Sequence, residues 1–79
     1  FQAEILRNGK TEYAKALRGS VSVICLSDVA KHVVIKGLKY EYEGDLSNQF
    51  ALGVSNSFIG KEGLIQVEEG ELLLIYERE

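Results

Sequence analysis

Ile65-Gln66-Val67-Glu68-Glu69-Gly70-Glu71-Leu72-Leu73-Leu74-Ile75-Tyr76 is the stretch on which the fold turns. Ile65 and Val67 alternate with Gln66 and Glu68, the period of two that sets one face of a strand on a core and the other in water. Residues 72–76 are apolar on both faces, as an inner strand is. The glycine turn between the two runs predicts a hairpin, and Glu68, Glu69 and Glu71 read as its solvated surface.

The same grammar recurs upstream. Leu38, Tyr40 and Tyr42 alternate with Lys39, Glu41 and Glu43, which predicts the clearest strand of the chain. Near the start, residues 3–7 and 11–14 flank Asn8-Gly9, the dipeptide that most readily adopts a type I′ turn, so a first hairpin is expected there. Residues 20–26 and 33–36 are β-branched runs separated by polar residues 27–31, with room for one helical turn capped by Ser27 or Asp28. No segment carries a long amphipathic helix, and the chain shows no repeat, linker or low-complexity tract. With eight glycines and no prolines spacing the runs, the expected fold is all-β: an antiparallel β-sandwich or flattened jelly-roll-like barrel of about seven short strands.

Residues 1–79 make one domain. At this size folding buries only about 60 to 65% of the extended chain's surface, and an isolated core of this kind rarely supplies more than roughly 3–5 kcal/mol. Support from an oligomer or a second domain is therefore expected. The chain begins at Phe1 without a recognisable leader, which reads as a piece of a longer protein. A net charge of −3 disfavours non-specific attraction to nucleic acid or anionic lipid. The apolar run at 72–75 is far below the roughly 20 residues of a membrane helix. One cysteine, Cys25, excludes an internal disulfide and fits a reducing, cytoplasmic compartment.

Side chains with catalytic potential are sparse. His32 and Cys25 are single representatives of their kinds, so four Cys/His ligands for a metal cannot come from one copy. Asp28 and Asp45 do not fall in a calcium-loop pattern, and Gly60-Lys61-Glu62-Gly63 lacks the spacing of a phosphate loop. Cys25 sits in an apolar run as a buried inert thiol, and His32, at a strand start, reads as a surface residue. Tyr40 and Tyr42 either fill a core or line a pocket. Ser55-Asn56-Ser57 reads as a turn bonded to its own backbone. No catalytic constellation follows from the residues themselves.

Gly37-Leu38-Lys39-Tyr40, then Gly53-Val54-Ser55-Asn56, then Val67-Glu68-Glu69-Gly70-Glu71-Leu72-Leu73 resemble, in order and spacing, the thiamin-binding half of thiamin pyrophosphokinases. The likeness runs from residue 20 onward and is loose over the first nineteen residues. In that family an amino-terminal α/β domain binds ATP and Mg2+ through aspartates, and a carboxy-terminal all-β domain binds thiamin. The resemblance implies that this chain is the second of these, the C-terminal fragment of a two-domain enzyme that transfers pyrophosphate from ATP to thiamin. It further implies a homodimer, with thiamin held between the β domain of one subunit and the catalytic domain of the other, and an isolated fragment without activity. Carried over by position, Ser55 and Asn56 match the S-N motif that binds and shapes the thiamin pocket. Tyr40 matches the aromatic of G-L-K-Y, a tryptophan in some members, and Ser57 stands where many bacterial members have glutamate. The competing expectation is a non-enzymatic β-sandwich that dimerises or binds a protein through a sheet edge or apolar patch.

Overall fold

Alternation in the sequence becomes layering in space. The computed structural model describes residues 2–47 and 54–77, apart from the side chains of residues 54 and 55. Eight strands form among them: β1 (Gln2–Arg7), β2 (Lys10–Tyr13), β3 (Ser20–Cys25), β4 (Val29–Lys36), β5 (Tyr42–Ser47), β6 (Val54–Ser57), β7 (Gly63–Glu69) and β8 (Glu71–Glu77). They make two four-stranded sheets, β1-β8-β3-β6 and β2-β7-β4-β5, with every pairing antiparallel. Val21, Val23, Leu72 and Leu74 from the first sheet meet Val33, Ile35, Ile65 and Val67 from the second in one core. Each such branched side chain contributes about 1.5–3 kcal/mol on full burial. The expected β-sandwich is what forms, and β8 is the inner strand that its two apolar faces required.

The two expected hairpins do not form. The strands on either side of Asn8-Gly9 lie in different sheets, as do those on either side of Gly70. β1 pairs with β8, and β2 with β7, so residues 2–13 and 63–77 make one antiparallel ribbon folded across both layers. Between the pairs Arg7↔Glu71 and Lys10↔Gln66, two residues (8 and 9) face four (67–70), and this surplus lets the outer strand turn the corner. Asn8 N–H donates to the Gly70 carbonyl at 3.1 Å, and Gly70 N–H to Asn8 Oδ1 at 2.8 Å. Asn8 has φ 45° but Gly9 is not among the residues of positive φ, so the type I′ turn, which needs both, is not made.

Two further expectations are corrected. Residues 27–31 hold no helical turn: Ser27 Oγ donates to Val29 O at 2.9 Å and accepts from Glu71 N–H at 3.1 Å, and β4 begins at Val29. The hydroxyl ties the β3–β4 connection to β8 in place of capping a helix. The alternation 38–43 is not one strand either, because the chain breaks at Gly37 and β5 starts only at Tyr42. Leu38 is buried while Tyr40 and Tyr42 are exposed, so neither tyrosine fills the core.

His32 lies within β4, not at its start. Between Ala30↔Leu46 and Val33↔Gly44 two residues face one, a β-bulge, with His32 at φ 51° and its N–H donated to Asp45 Oδ1 at 2.9 Å. The bulge keeps Ala30, Val33 and Ile35 all turned into the core. On the outer surface the imidazole bridges two strands, with Nε2 3.2 Å from Glu43 Oε2 and Nδ1 3.2 Å from Glu68 Oε2.

The corner and the bulge each generate a measurable outcome. A Cβ at Gly70, where φ is 131°, would lie 2.8 Å from Ala30 Cα, whereas one at Gly9 meets ordinary contacts at 3.5 and 3.9 Å. Gly70→Ala is expected to lower unfolding free energy in urea by about 2–4 kcal/mol and Gly9→Ala by less than about 1 kcal/mol; equal losses would contradict the corner. Hydrogen bonds to Glu43, then to Glu68, raise the His32 pKa above 6.5. A raised folded value gives a contribution that is whole below the unfolded pKa and lost as pH rises through the folded one. The urea midpoint of the wild type should therefore fall across that interval relative to His32→Gln, and by less at high salt; parallel curves would refute the bridge.

Candidate functional site

Three connections, residues 14–19, 37–41 and 58–62, gather at one end of the sandwich together with Gln2 and Glu77. The G-L-K-Y segment is the middle one. Gly37 turns the chain out of β4 at φ 75°, and a Cβ there would lie 2.0 Å from the Glu62 carbonyl oxygen; only glycine fits the turn. Glu41 Oε2 closes the loop by accepting Gly37 N–H at 3.0 Å.

From Gly37 the chain runs antiparallel along residues 56–58. Leu38 bridges Phe58, and Lys39 N–H donates to the Ser57 carbonyl at 3.0 Å. At the next rung a side chain takes the place of backbone. Asn56 Oδ1 accepts Tyr40 N–H at 2.9 Å while Asn56 Nδ2 donates to the Tyr40 carbonyl at 2.7 Å. The same Oδ1 accepts Ser57 N–H at 3.0 Å. Opposite Val21 in the register, Asn56 points inward, and it is the only buried polar side chain among the described residues, at 0% exposure. Its carboxamide has four hydrogen-bonding positions and three are committed to backbone. A buried amide so committed is a clamp on Tyr40.

Tyr40 itself is 56% exposed, and Lys39 Nζ lies 5.4 Å from its ring centroid. One face of the ring thus already has a cation near it, and a stacking ligand either uses the free face or displaces the lysine. The three residues expected at the site therefore divide. Tyr40 and Asn56 are joined through two hydrogen bonds, with the ring outward and the carboxamide inward. Ser55, on β6, pairs with Ser22 of β3, and its side chain lies outside the described residues. No group of three His, Cys, Asp or Glu among the described residues is arranged to hold a metal ion. Cys25 is a free, buried thiol that touches the Ser27 carbonyl at 3.2 Å.

Sequence reasoning missed the inward role of Asn56, although a signal was there: Val54, Asn56 and Phe58 share one phase of the period-two pattern. It also missed a side-chain chain near the strand ends, where Tyr13 Oη lies 2.6 Å from Tyr76 Oη and Tyr76 O–H donates to Glu4. Burial is the main cause that pushes Tyr13 up to about 12 and Tyr76 higher still, so both phenols stay neutral. Nothing in the spacing of residues 4, 13 and 76 foretold this, since it arises from the folded ribbon.

Residues 10–72 match the family described as thiamin pyrophosphokinase, vitamin B1 binding domain. Among solved structures, thiamine pyrophosphokinase from Bacillus subtilis is similar with a TM-score of 0.83 at 20% identity, covering 98% of this chain and 37% of that one. The thiamin pyrophosphokinase from Geobacillus thermodenitrificans is similar with a TM-score of 0.83 at 24% identity and the same coverage. The chain thus spans 37% of the length of these structures, and at such identity the likeness is one of fold. No curated protein sequence matches it. The non-enzymatic interaction module is not favoured, because the family match takes in the G-L-K-Y loop, the S-N motif and the closing glycine turn together. The chain belongs to the vitamin B1 binding domain family of thiamin pyrophosphokinases.

Proposed function

We propose that this chain supplies the thiamin half-site of a two-domain thiamin pyrophosphokinase, in which Tyr40 faces the vitamin and Asn56 holds Tyr40 in place. The observation that carries the reading is the pinned, outward aromatic: an exposed tyrosine whose backbone N–H and C=O are both bound by one buried carboxamide. Thiamin offers an aminopyrimidine suited to stacking and a thiazolium cation suited to an aromatic face. Holding the loop before the ligand arrives reduces the ordering cost of binding. Ser55, beside Asn56 on β6, is proposed as a third contact.

In the parent enzyme the hydroxyl of thiamin attacks the β-phosphorus of ATP, joining pyrophosphate to thiamin and releasing AMP. Such transfers depend on positioning and on charge neutralisation. We assign the positioning of thiamin to this domain, and ATP and Mg2+ to the amino-terminal domain of the same enzyme. The reading includes a homodimer that completes the site and a cytoplasmic location. A half-open surface around Tyr40 suits a site closed by another domain. The row Ile5, Leu73 and Ile24 across the outer face of the first sheet, with Ile5 57% exposed, suits an apolar contact. The free thiol of Cys25 suits a reducing compartment.

Titration of the labelled chain with thiamin, followed by amide and ring NMR shifts, is expected to give saturable changes at Tyr40 and its loop. Tyr40→Ala should weaken binding about threefold to thirtyfold, and Tyr40→Trp should preserve or strengthen it. Flat shifts in the chain and in the full-length parent would contradict the reading, as would thiamin diphosphate formation by the chain alone with ATP and Mg2+. Asn56→Ala leaves Tyr40 N–H, Tyr40 C=O and Ser57 N–H without their buried partner, so a loss of about 2–4 kcal/mol in urea unfolding is expected. Hydrogen exchange at the Tyr40 amide should accelerate more than at Val67, and unchanged exchange at Tyr40 would show that Asn56 is no clamp.

A further inference from the structure

At the same end of the sandwich a cavity of about 250 Å³ opens between the sheets, lined by Glu4, Tyr13, Arg18, Phe58, Tyr76 and Glu77 but not by Tyr40. Three of its walls are aromatic. Tyr13 meets Phe58 edge to face, with centroids 5.2 Å apart and planes at 68°. It meets Tyr76 in the same way at 5.9 Å and 70°. The three rings pack on one another edge to face and together line the cavity, and an aromatic face carries the negative lobe of the ring quadrupole. An aromatic lining of this kind favours a cation with an apolar surface.

The polar groups reinforce that sign. Tyr76 O–H donates to the Glu4 carboxylate, so the hydrogen between the two phenols comes from Tyr13, and both hydroxyls point their protons along the path to Glu4. Glu77 adds a second carboxylate. The one opposing charge, Arg18, is turned to its own loop, donating to the carbonyls of Leu17 at 3.1 Å and Lys15 at 3.4 Å. Two carboxylates thus face one guanidinium that is occupied elsewhere.

We propose that this cavity is a binding site for a compact organic cation of the methylated-ammonium class, separate from the surface around Tyr40. A methylated ammonium suits it better than a primary one. Its methyl groups match the aromatic walls, and it has less hydration to lose on entry than a strongly hydrated –NH₃⁺ group. Glu4 supplies the counter-charge at the rim, and the neutral Tyr13–Tyr76 pair fixes its orientation.

Titration of the chain with tetramethylammonium chloride, against sodium chloride at matched ionic strength, tests the assignment by aromatic NMR shifts. Saturable changes at Tyr13, Phe58 and Tyr76 are expected. The uncharged isostere tert-butyl alcohol should bind about tenfold more weakly or worse, and Glu4→Gln should weaken tetramethylammonium by about threefold to tenfold. Glu4 is an exposed strand residue, and unchanged amide shifts across β3 and β7 will verify the fold of the variant. If that variant is perturbed, the comparison of charged and uncharged probes on the wild type decides alone. Linear, unsaturable shifts, or equal binding of the two probes, would overturn the cation site. Displacement of tetramethylammonium by thiamin would overturn its separateness, whereas failure of thiamin to bind at Tyr40 would leave this proposal standing.

Discussion

A single buried carboxamide decides what this surface offers to a ligand. Asn56 lies in the core layer with no exposure, where an unpaired amide is costly, and it meets that cost by bonding Tyr40 on both its N–H and its C=O. The segment 38–40 is thereby held to β6 as a short extra strand. Because β6 belongs to one sheet and the loop springs from β4 of the other, the same bonds join the two layers at their open end. The Tyr40 ring is left outside with its backbone fixed, which is what stacking recognition asks of an aromatic.

The rest of the fold serves to bring that end together. A ribbon that bends at Asn8 and Gly70 returns Gln2 and Glu77 to the side where the 37–41 loop emerges. The bulge at His32 re-phases β4 so that Val33 and Ile35 stay inward up to Gly37. With a one-residue slip instead, every side chain from 33 to 36 would change face. Tyr13 and Phe58 plug the layer just beneath, packing edge to face against each other and against the core.

Strands were legible in the sequence wherever one face is buried and the other wet. Ile65 and Val67 lie inward as their alternation required, and the run 72–76 became the inner strand β8. Partners were not legible. Asn8-Gly9 and Glu69-Gly70-Glu71 carry turn chemistry, but whether a turn closes a hairpin or bends a ribbon between layers depends on pairings some sixty residues away. The 38–43 alternation misled because Gly37 and Asn56 together outweigh a pattern of six residues. At the site, the resemblance singled out Asn56 without foretelling its orientation: the phase it shares with Val54 and Phe58 was the signal for its inward position, and its bonds to the Tyr40 backbone had none. Contacts such as Glu4–Tyr76–Tyr13 have no local signature, since each member sits on a different strand.

The central claim is that Tyr40 touches thiamin and Asn56 acts through Tyr40. A crystal structure of the parent enzyme with thiamin bound tests it most directly. The account predicts the Tyr40 ring against the vitamin, with the Asn56 carboxamide still bonded to the Tyr40 N–H and C=O. An Asn56 side chain turned out of the core onto thiamin, or thiamin bound with Tyr40 free, would contradict it.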